Sequence, residues 1–191
     1  MSVSGALANG RQTFREHLAF GQIAETQIAK WIMSRGGVVL PIYDVEIESG
    51  KGPRVFSTEG EFVAPDLLVA THGRVHWIEA KHKSVFTWHR ITSRWVTGID
   101  LHHYEQYKKV AEIMPWPIWL LFLHRESKPA EHDIKHNCPT QCPTGLFGST
   151  LERLAKIENH RHANWGRYGM VYWAHDKLQL IATLNEFYGA G

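Results

Sequence analysis

The chain has 191 residues, with 21 Lys and Arg against 19 Asp and Glu for a formal net charge of +2, and 13 histidines that add positive charge on mild acidification. That length suits one domain, since most span about 50 to 250 residues, and so small a charge does not by itself call for a nucleic acid partner. Two cysteines exclude a disulfide framework, the longest apolar run (118–123) is far short of the roughly 20 residues that cross a bilayer, and the start Met1-Ser2-Val3-Ser4-Gly5 lacks a signal-peptide pattern, so the expectation is a cytoplasmic protein without a membrane partner.

Thr13-Phe14-Arg15-Glu16 has the form of a capping box, which predicts a helix that runs without proline to Gly36-Gly37. Leu18, Gly21, Ile28 and Ile32 fall on one stripe of it, and Glu25 shares that stripe. An acid on an apolar face needs a partner if it is buried, and is simply solvated if it sits at the edge. Residues 38–47 follow as a strand that carries Asp44 and Glu46.

The densest information lies in 65–81. Pro65-Asp66 opens the apolar run Leu67-Leu68-Val69-Ala70-Thr71, and His72-Gly73 leads to Arg74-Val75-His76-Trp77-Ile78-Glu79-Ala80-Lys81. Two apolar runs about a two-residue turn predict a hairpin, and both turn residues tolerate positive φ better than most. If Thr71 pairs with Arg74, Asp66 lies opposite Glu79. Cross-strand Cβ atoms are roughly 4.5 to 5.5 Å apart, so the two acids repel unless a cation stands between them. Alternation puts Val75, Trp77, Glu79 and Lys81 on one face. Two carboxylates beside an ammonium suit Mg²⁺, with the lysine placed to orient or deprotonate a water or to stabilise phosphate charge. An ordinary solvated hairpin would also fit these spacings.

Residues 83–96 interleave Lys83, Arg90 and Arg94 with Phe86, Trp88 and Trp95, as a surface for phosphate and bases requires, and Thr92-Ser93 reads as a second hairpin turn. Alternating aromatics on paired strands also serve as ordinary core. Asp100 then caps a helix that stops near Pro115, with Tyr104, Gln106, Tyr107 and Lys108 along it. Lysine and amide side chains there can meet phosphates, whereas Tyr104, Tyr107 and Val110 also make a core stripe.

Residues 117–123 read as a strand buried on both faces. In the next segment His132, His136, Cys138 and Cys142 offer an N₂S₂ set for structural Zn²⁺, though not at the spacing of a common zinc finger; a solvated loop with two thiols is the plainer reading. Ser149-Thr150-Leu151-Glu152 opens another helix; the basic run His160-Arg161-His162 with Asn164, Trp165 and Arg167 reads as a solvated connector or, alternatively, as a nucleic-acid contact; and 168–174 with 178–184 reads as a terminal hairpin turned at His175-Asp176-Lys177.

Pro65-Asp66 with Glu79-Ala80-Lys81, preceded by a helix bearing Glu25, resembles the PD-(D/E)xK nuclease superfamily, which includes restriction endonucleases, RecB-like nucleases and archaeal Holliday junction resolvases. The resemblance covers 13–124 best, with 125–191 as an accessory helix and hairpin. It implies an α/β fold with a restriction endonuclease-like core, a mixed central β-sheet flanked by α-helices. It also implies hydrolysis of DNA phosphodiesters with Mg²⁺ or Mn²⁺. By analogy Asp66, Glu79 and the Ala80 carbonyl hold the metal, Glu25 assists directly or through water, and Lys81 positions the nucleophile. The helix after Asp100 is similar to one whose Gln, Tyr and Lys side chains face the site or the nucleic acid in this superfamily. Many such folds act as dimers, so a second copy of the chain joins DNA among the expected partners. A non-catalytic nucleic-acid or protein-binding module on the same fold, zinc-stabilised or not, and a nuclease acting on RNA are the alternatives.

Overall fold

The structure is a computed structural model that describes residues 25–41 and 53–189. The expected capping box at Thr13, Leu18 and Gly21, Asp44 and Glu46 lie outside the described residues. The first described element is helix α1 (residues 25–34), which ends as expected on a glycine pair. Gly36 adopts φ 81°, and Gly36 N and Gly37 N donate to Met33 O and Ile32 O at 3.0 and 3.1 Å, a Schellman closure.

Among the described residues, six strands form the central sheet: β1 (Val38–Pro41), β4 (Leu67–Thr71), β5 (Arg74–Lys83), β8 (Ile118–His124), β9 (Gly145–Thr150) and β12 (Gln179–Ala182), in the order β1-β4-β5-β8-β9-β12. Every neighbouring pair is antiparallel except β5 and β8, which run parallel, so the sheet is mixed as expected. A parallel pair needs a crossover. Here it runs through β6 (Thr87–His89), β7 (Arg94–Asp100) and helix α2 (Leu101–Ile113).

Period-two alternation divides the core between the sheet's two faces. Ile78, Ala80, Leu121 and Leu123 bury one face under Ile28 and Ile32 of α1 and Phe187 of α5 (Leu184–Tyr188). Trp77, Leu120 and Phe122 bury the other under Tyr104, Tyr107 and Val110 of α2 and Leu154 of α4 (Leu151–Lys156). Asp100 caps α2 by accepting from His102 N at 2.8 Å, and Thr150 caps α4 by accepting from Arg153 N at 3.3 Å. Both helices therefore start where the sequence predicts.

A second, four-stranded sheet, in the order β10-β11-β7-β6, adds β10 (Glu158–His162) and β11 (Met170–Ala174), and a small hairpin joins β2 (Arg54–Ser57) to β3 (Gly60–Val63). Trp95, Ile99, Val171 and the fully buried Trp173 turn inward from the second sheet to the α2 side of the core, and Trp173 Nε1 donates to Leu154 O at 2.9 Å. The expected terminal hairpin does not form. A 3₁₀ turn at His175–Lys177 carries the chain out of β11 in the second sheet and into β12, which pairs with β9 in the first. Buried Leu178 just after that turn anchors the change of sheet in the core. A short helix α3 (Glu131–Ile134) lies between β8 and β9.

Candidate active site

The turn between β4 and β5 sets the geometry. His72 and Gly73 adopt φ 47° and 75°, the primed-turn conformation that suits a two-residue hairpin, and Thr71 pairs with Arg74. Counting along the ladder reaches Leu67 opposite Ile78, where β4 ends. Asp66, the next residue, does not continue the ladder through its backbone. Its carboxylate Oδ2 accepts from Ala80 N at 2.9 Å instead. A residue in an extended strand sends its N–H and C=O to the same edge, so the Ala80 carbonyl also faces the side where β4 has stopped.

Glu79 lies on the opposite face from Ala80, at 1 % exposure beneath α2. Its Oε1 contacts Lys81 Nζ, and its carboxylate lies close to the hydroxyl of buried Tyr107. Glu25, half-buried at the start of the described part of α1, lies close enough to interact electrostatically with Glu79, Lys81 and Asp66. Three acids and one ammonium from α1, the end of β4 and the end of β5 thus form one charged group.

Burial does most to raise the Asp66 pKa well above the ordinary carboxylate value; the neighbouring Glu79 charge adds to it, while Lys81 and the Ala80 N–H offset part of it. Glu25 is raised for the same first reason, with Lys81 opposing and Glu79 reinforcing. Burial alone would lower Lys81, but Glu79 and Asp66 outweigh it and hold the ammonium charged. Tyr107 is pushed far up by burial and by the carboxylates around it, so its hydroxyl keeps its proton.

Among the described residues no three His, Cys, Asp or Glu side chains are grouped as a cage for a metal ion. The acids nevertheless fit a hard divalent cation by their chemistry. They are oxygen donors only, and two of them are held above their ordinary pKa by burial and mutual repulsion, a penalty that a nearby 2+ charge would relieve.

The Zn²⁺ set is not assembled. His132 is exposed with Nε2 3.2 Å from Asp133 Oδ1, His136 is exposed, and the Cys142 thiol turns into the core towards Phe86 O at 3.9 Å. Burial, then the neighbouring Asp133 charge, lifts Cys142 to about 12, which keeps its sulfur protonated and a poor ligand. Cys138 is half-buried and free.

The residues expected at nucleic acid divide sharply. Tyr104 is fully buried and donates to Glu158 Oε1 at 2.8 Å, so its hydroxyl ties α2 to β10 and does not face solvent. Gln106 Oε1 accepts from Val63 N at 3.2 Å, fastening β3 to α2. Lys108 pairs with Glu105 at 2.8 Å, and Arg94 with Asp176 at 3.5 Å. Arg90 is exposed in the β6–β7 turn, as expected of a surface cation. Lys83 follows Lys81 on the same face, where burial first and then the Lys81 charge lower it to about 8. The sequence reading passed over His103, which lies within electrostatic reach of Lys81 and Glu79. Its spacing of four from Tyr107, the same face of α2 one turn on, was the available signal.

No family model matches the chain, and no curated protein matches it. Among solved structures, it is similar to Hjc, a Holliday junction resolvase from Archaeoglobus fulgidus, at 9 % identity and a TM-score of 0.47, over 88 % of this chain and 95 % of that one. It is also similar to D212, a nuclease from a fusselovirus, at 12 % identity and a TM-score of 0.37, over 100 % of this chain and 94 % of that one.

Proposed function

We propose that the chain is a metal-dependent nuclease of the PD-(D/E)xK type that hydrolyses phosphodiester bonds in DNA. The observation that carries this reading is the meeting of Asp66, Glu79, Glu25 and Lys81 at the place where β4 stops and β5 continues. Three acids crowded beside one lysine destabilise a fold unless the charge is used.

Asp66, Glu79 and the Ala80 carbonyl would hold Mg²⁺ or Mn²⁺, with Glu25 directly or through water. When bound, such an ion lowers the pKa of a coordinated water and stabilises charge on the phosphate. Lys81 keeps its positive charge and presents it at the reacting phosphate and the attacking water. Buried Tyr107 lies beside Glu79 and limits the room the carboxylate has to turn away. The Ala80 N–H fixes Asp66 by donating to it.

Purified protein incubated with plasmid, single-stranded and branched DNA in Mg²⁺ or Mn²⁺ should cleave at least one of them. Asp66→Asn and Lys81→Met should abolish that cleavage while the circular dichroism spectrum stays that of the parent. Cleavage that survives either substitution would place the chemistry elsewhere in the molecule. Retention of DNA without cleavage under any divalent ion would point to a binding module.

A further inference from the structure

The loop between β10 and β11 (163–169), which reads from sequence as a solvated connector, carries Trp165 at 61 % and Tyr168 at 52 % exposure. Large aromatics are not left in water by packing needs, and this pair is accompanied by a cation. Arg167 Cζ lies 5.2 Å from the Tyr168 ring centroid, and among the described residues no carboxylate pairs with it. The neighbouring Arg161 is committed to Glu158 and Glu105. His162 meets Trp165 edge-on at 5.6 Å. Gly166 and Gly169, at φ 70° and 83°, give the loop a backbone shape that other residues rarely adopt.

The loop's position gives these groups their meaning. Gly169 O accepts from Leu101 N at 2.9 Å, which docks the loop on the first residue of α2. From there rings run in sequence towards the charged site: Tyr168 to His102 at 5.2 Å, His102 to His103 at 6.0 Å, and His103 to Tyr107 at 6.2 Å. Tyr107 in turn lies close to Glu79. At about 3.4 Å of rise per nucleotide, a strand crosses that path in roughly five nucleotides or fewer.

We infer that Trp165 and Tyr168 form a stacking platform for an unpaired base, with Arg167 on the adjoining phosphate, on a strand that passes His102 and His103 to the carboxylates. The inference rests on the nuclease reading and narrows its substrate to DNA with a single-stranded end or branch. Exposed faces of aromatic rings accept any base, but only one that is out of the duplex stack. A blunt duplex hides its bases and offers this loop only phosphates.

The test uses the full chain in EDTA, with fluorescence anisotropy of a labelled blunt duplex and of the same duplex with a single-stranded tail. Trp165→Ala with Tyr168→Ala should weaken binding of the tailed DNA by about tenfold and change binding of the blunt duplex by less than about twofold. Trp165→Phe with Tyr168→Phe should restore the tailed affinity. In Mg²⁺ the alanine pair should raise KM for tailed DNA while leaving kcat unchanged. Equal loss on both DNAs, no loss on either, or a phenylalanine pair as weak as the alanine pair would overturn the stacking platform. If the parent protein cleaves DNA when that happens, the nuclease reading stands and only this inference fails; a parent that neither binds nor cleaves any DNA removes both.

Discussion

Ala80 and its neighbours Glu79 and Lys81 are adjacent on one strand and face two different environments. On the α1 side, Ala80 meets Ile28, Ile78, Leu121 and Leu123, a wholly apolar cluster. On the α2 side, Glu79 and Lys81 lie among Trp77 and Tyr107, where an apolar layer has admitted charge. The first face can be understood from area burial alone, at roughly 25 cal/mol per Å² of apolar surface removed from water. The second cannot, because taking charges out of water costs more than their pairing commonly returns. A sheet with one face spent on stability and the other on charge should answer differently to damage on each side.

The widest separation is expected from Glu79→Gln. It keeps the shape of the side chain but removes the charge, and cleavage should fall by about 10²- to 10³-fold or more, the range seen when a single preorganised electrostatic group is lost. The melting temperature should hold or rise, since a buried carboxylate has gone. A fall in stability with intact cleavage would reverse the assignment of the two faces. Leu146→Ala, on the α1 side and fully buried, should do the opposite. A stability loss of about 2 to 5 kcal/mol in denaturant melts is expected, with cleavage per folded molecule unchanged.

The two faces also differ in how far the sequence disclosed them. The register of the β4–β5 hairpin was readable from Thr71–Arg74 to Leu67–Ile78, because a two-residue turn fixes register, but the expected pairing of Asp66 opposite Glu79 lies one step beyond the ladder, where Asp66 turns to Ala80 N instead. The caps at Asp100 and Thr150 were readable for a similar local reason. Glu25 stood out only because an acid shared a stripe with Ile28 and Ile32. What local pattern could not supply was partnership between distant strands. β11 looks as ready to pair with β12 as with β7, and only the burial of Val171 and Trp173 under α2 and α4 decides for β7. Tyr104 and Gln106 carry the right chemistry for a nucleic-acid helix, but Glu158 and Val63, 54 and 43 residues away, claim their polar atoms. The histidines and cysteines of 132–142 have a ligand-like spacing that the inward turn of Cys142 undoes.

A smaller effect should appear in acid, again on the α2 side of the sheet. His124 is fully buried, stacks on Phe86 at 3.5 Å, and holds Thr97 Oγ1 at 3.2 Å. Burial first, then the Lys83 charge, with smaller parts from His175 and His82, depress it to about 3. Its folded pKa lies below the unfolded value, so the unfolded chain takes the proton first and stability falls as pH drops from about 6.5 towards 3. Between pH 7 and 5 this one group should cost roughly 2 kcal/mol. His124→Asn should flatten that part of the stability profile in urea melts at several pH values, and an unchanged slope would assign the acid sensitivity to other groups.

The smallest expected effect tests the apolar side where it is least protected. Phe187 closes that face from α5, stacked on Trp31 of α1 at 6.1 Å, and α5 has only five residues. So short a helix does not hold itself together, because nucleation is unfavourable and few internal bonds follow it. Its start is instead fixed by a reciprocal cap: Glu186 N donates to Thr183 Oγ1 at 3.2 Å, and Thr183 N donates to Glu186 Oε2 at 2.8 Å. Thr183→Ala removes the hydroxyl side of that exchange and should lower the melting temperature by roughly 2 to 4 °C, with Thr183→Ser restoring most of it. DNA cleavage should be unaffected in both variants, because Phe187 covers the face of the sheet opposite Glu79 and Lys81. A loss of cleavage in Thr183→Ala that follows the loss of stability would mean that α1, and with it Glu25, is held in place from the apolar side, so that the two faces of β5 are not independent.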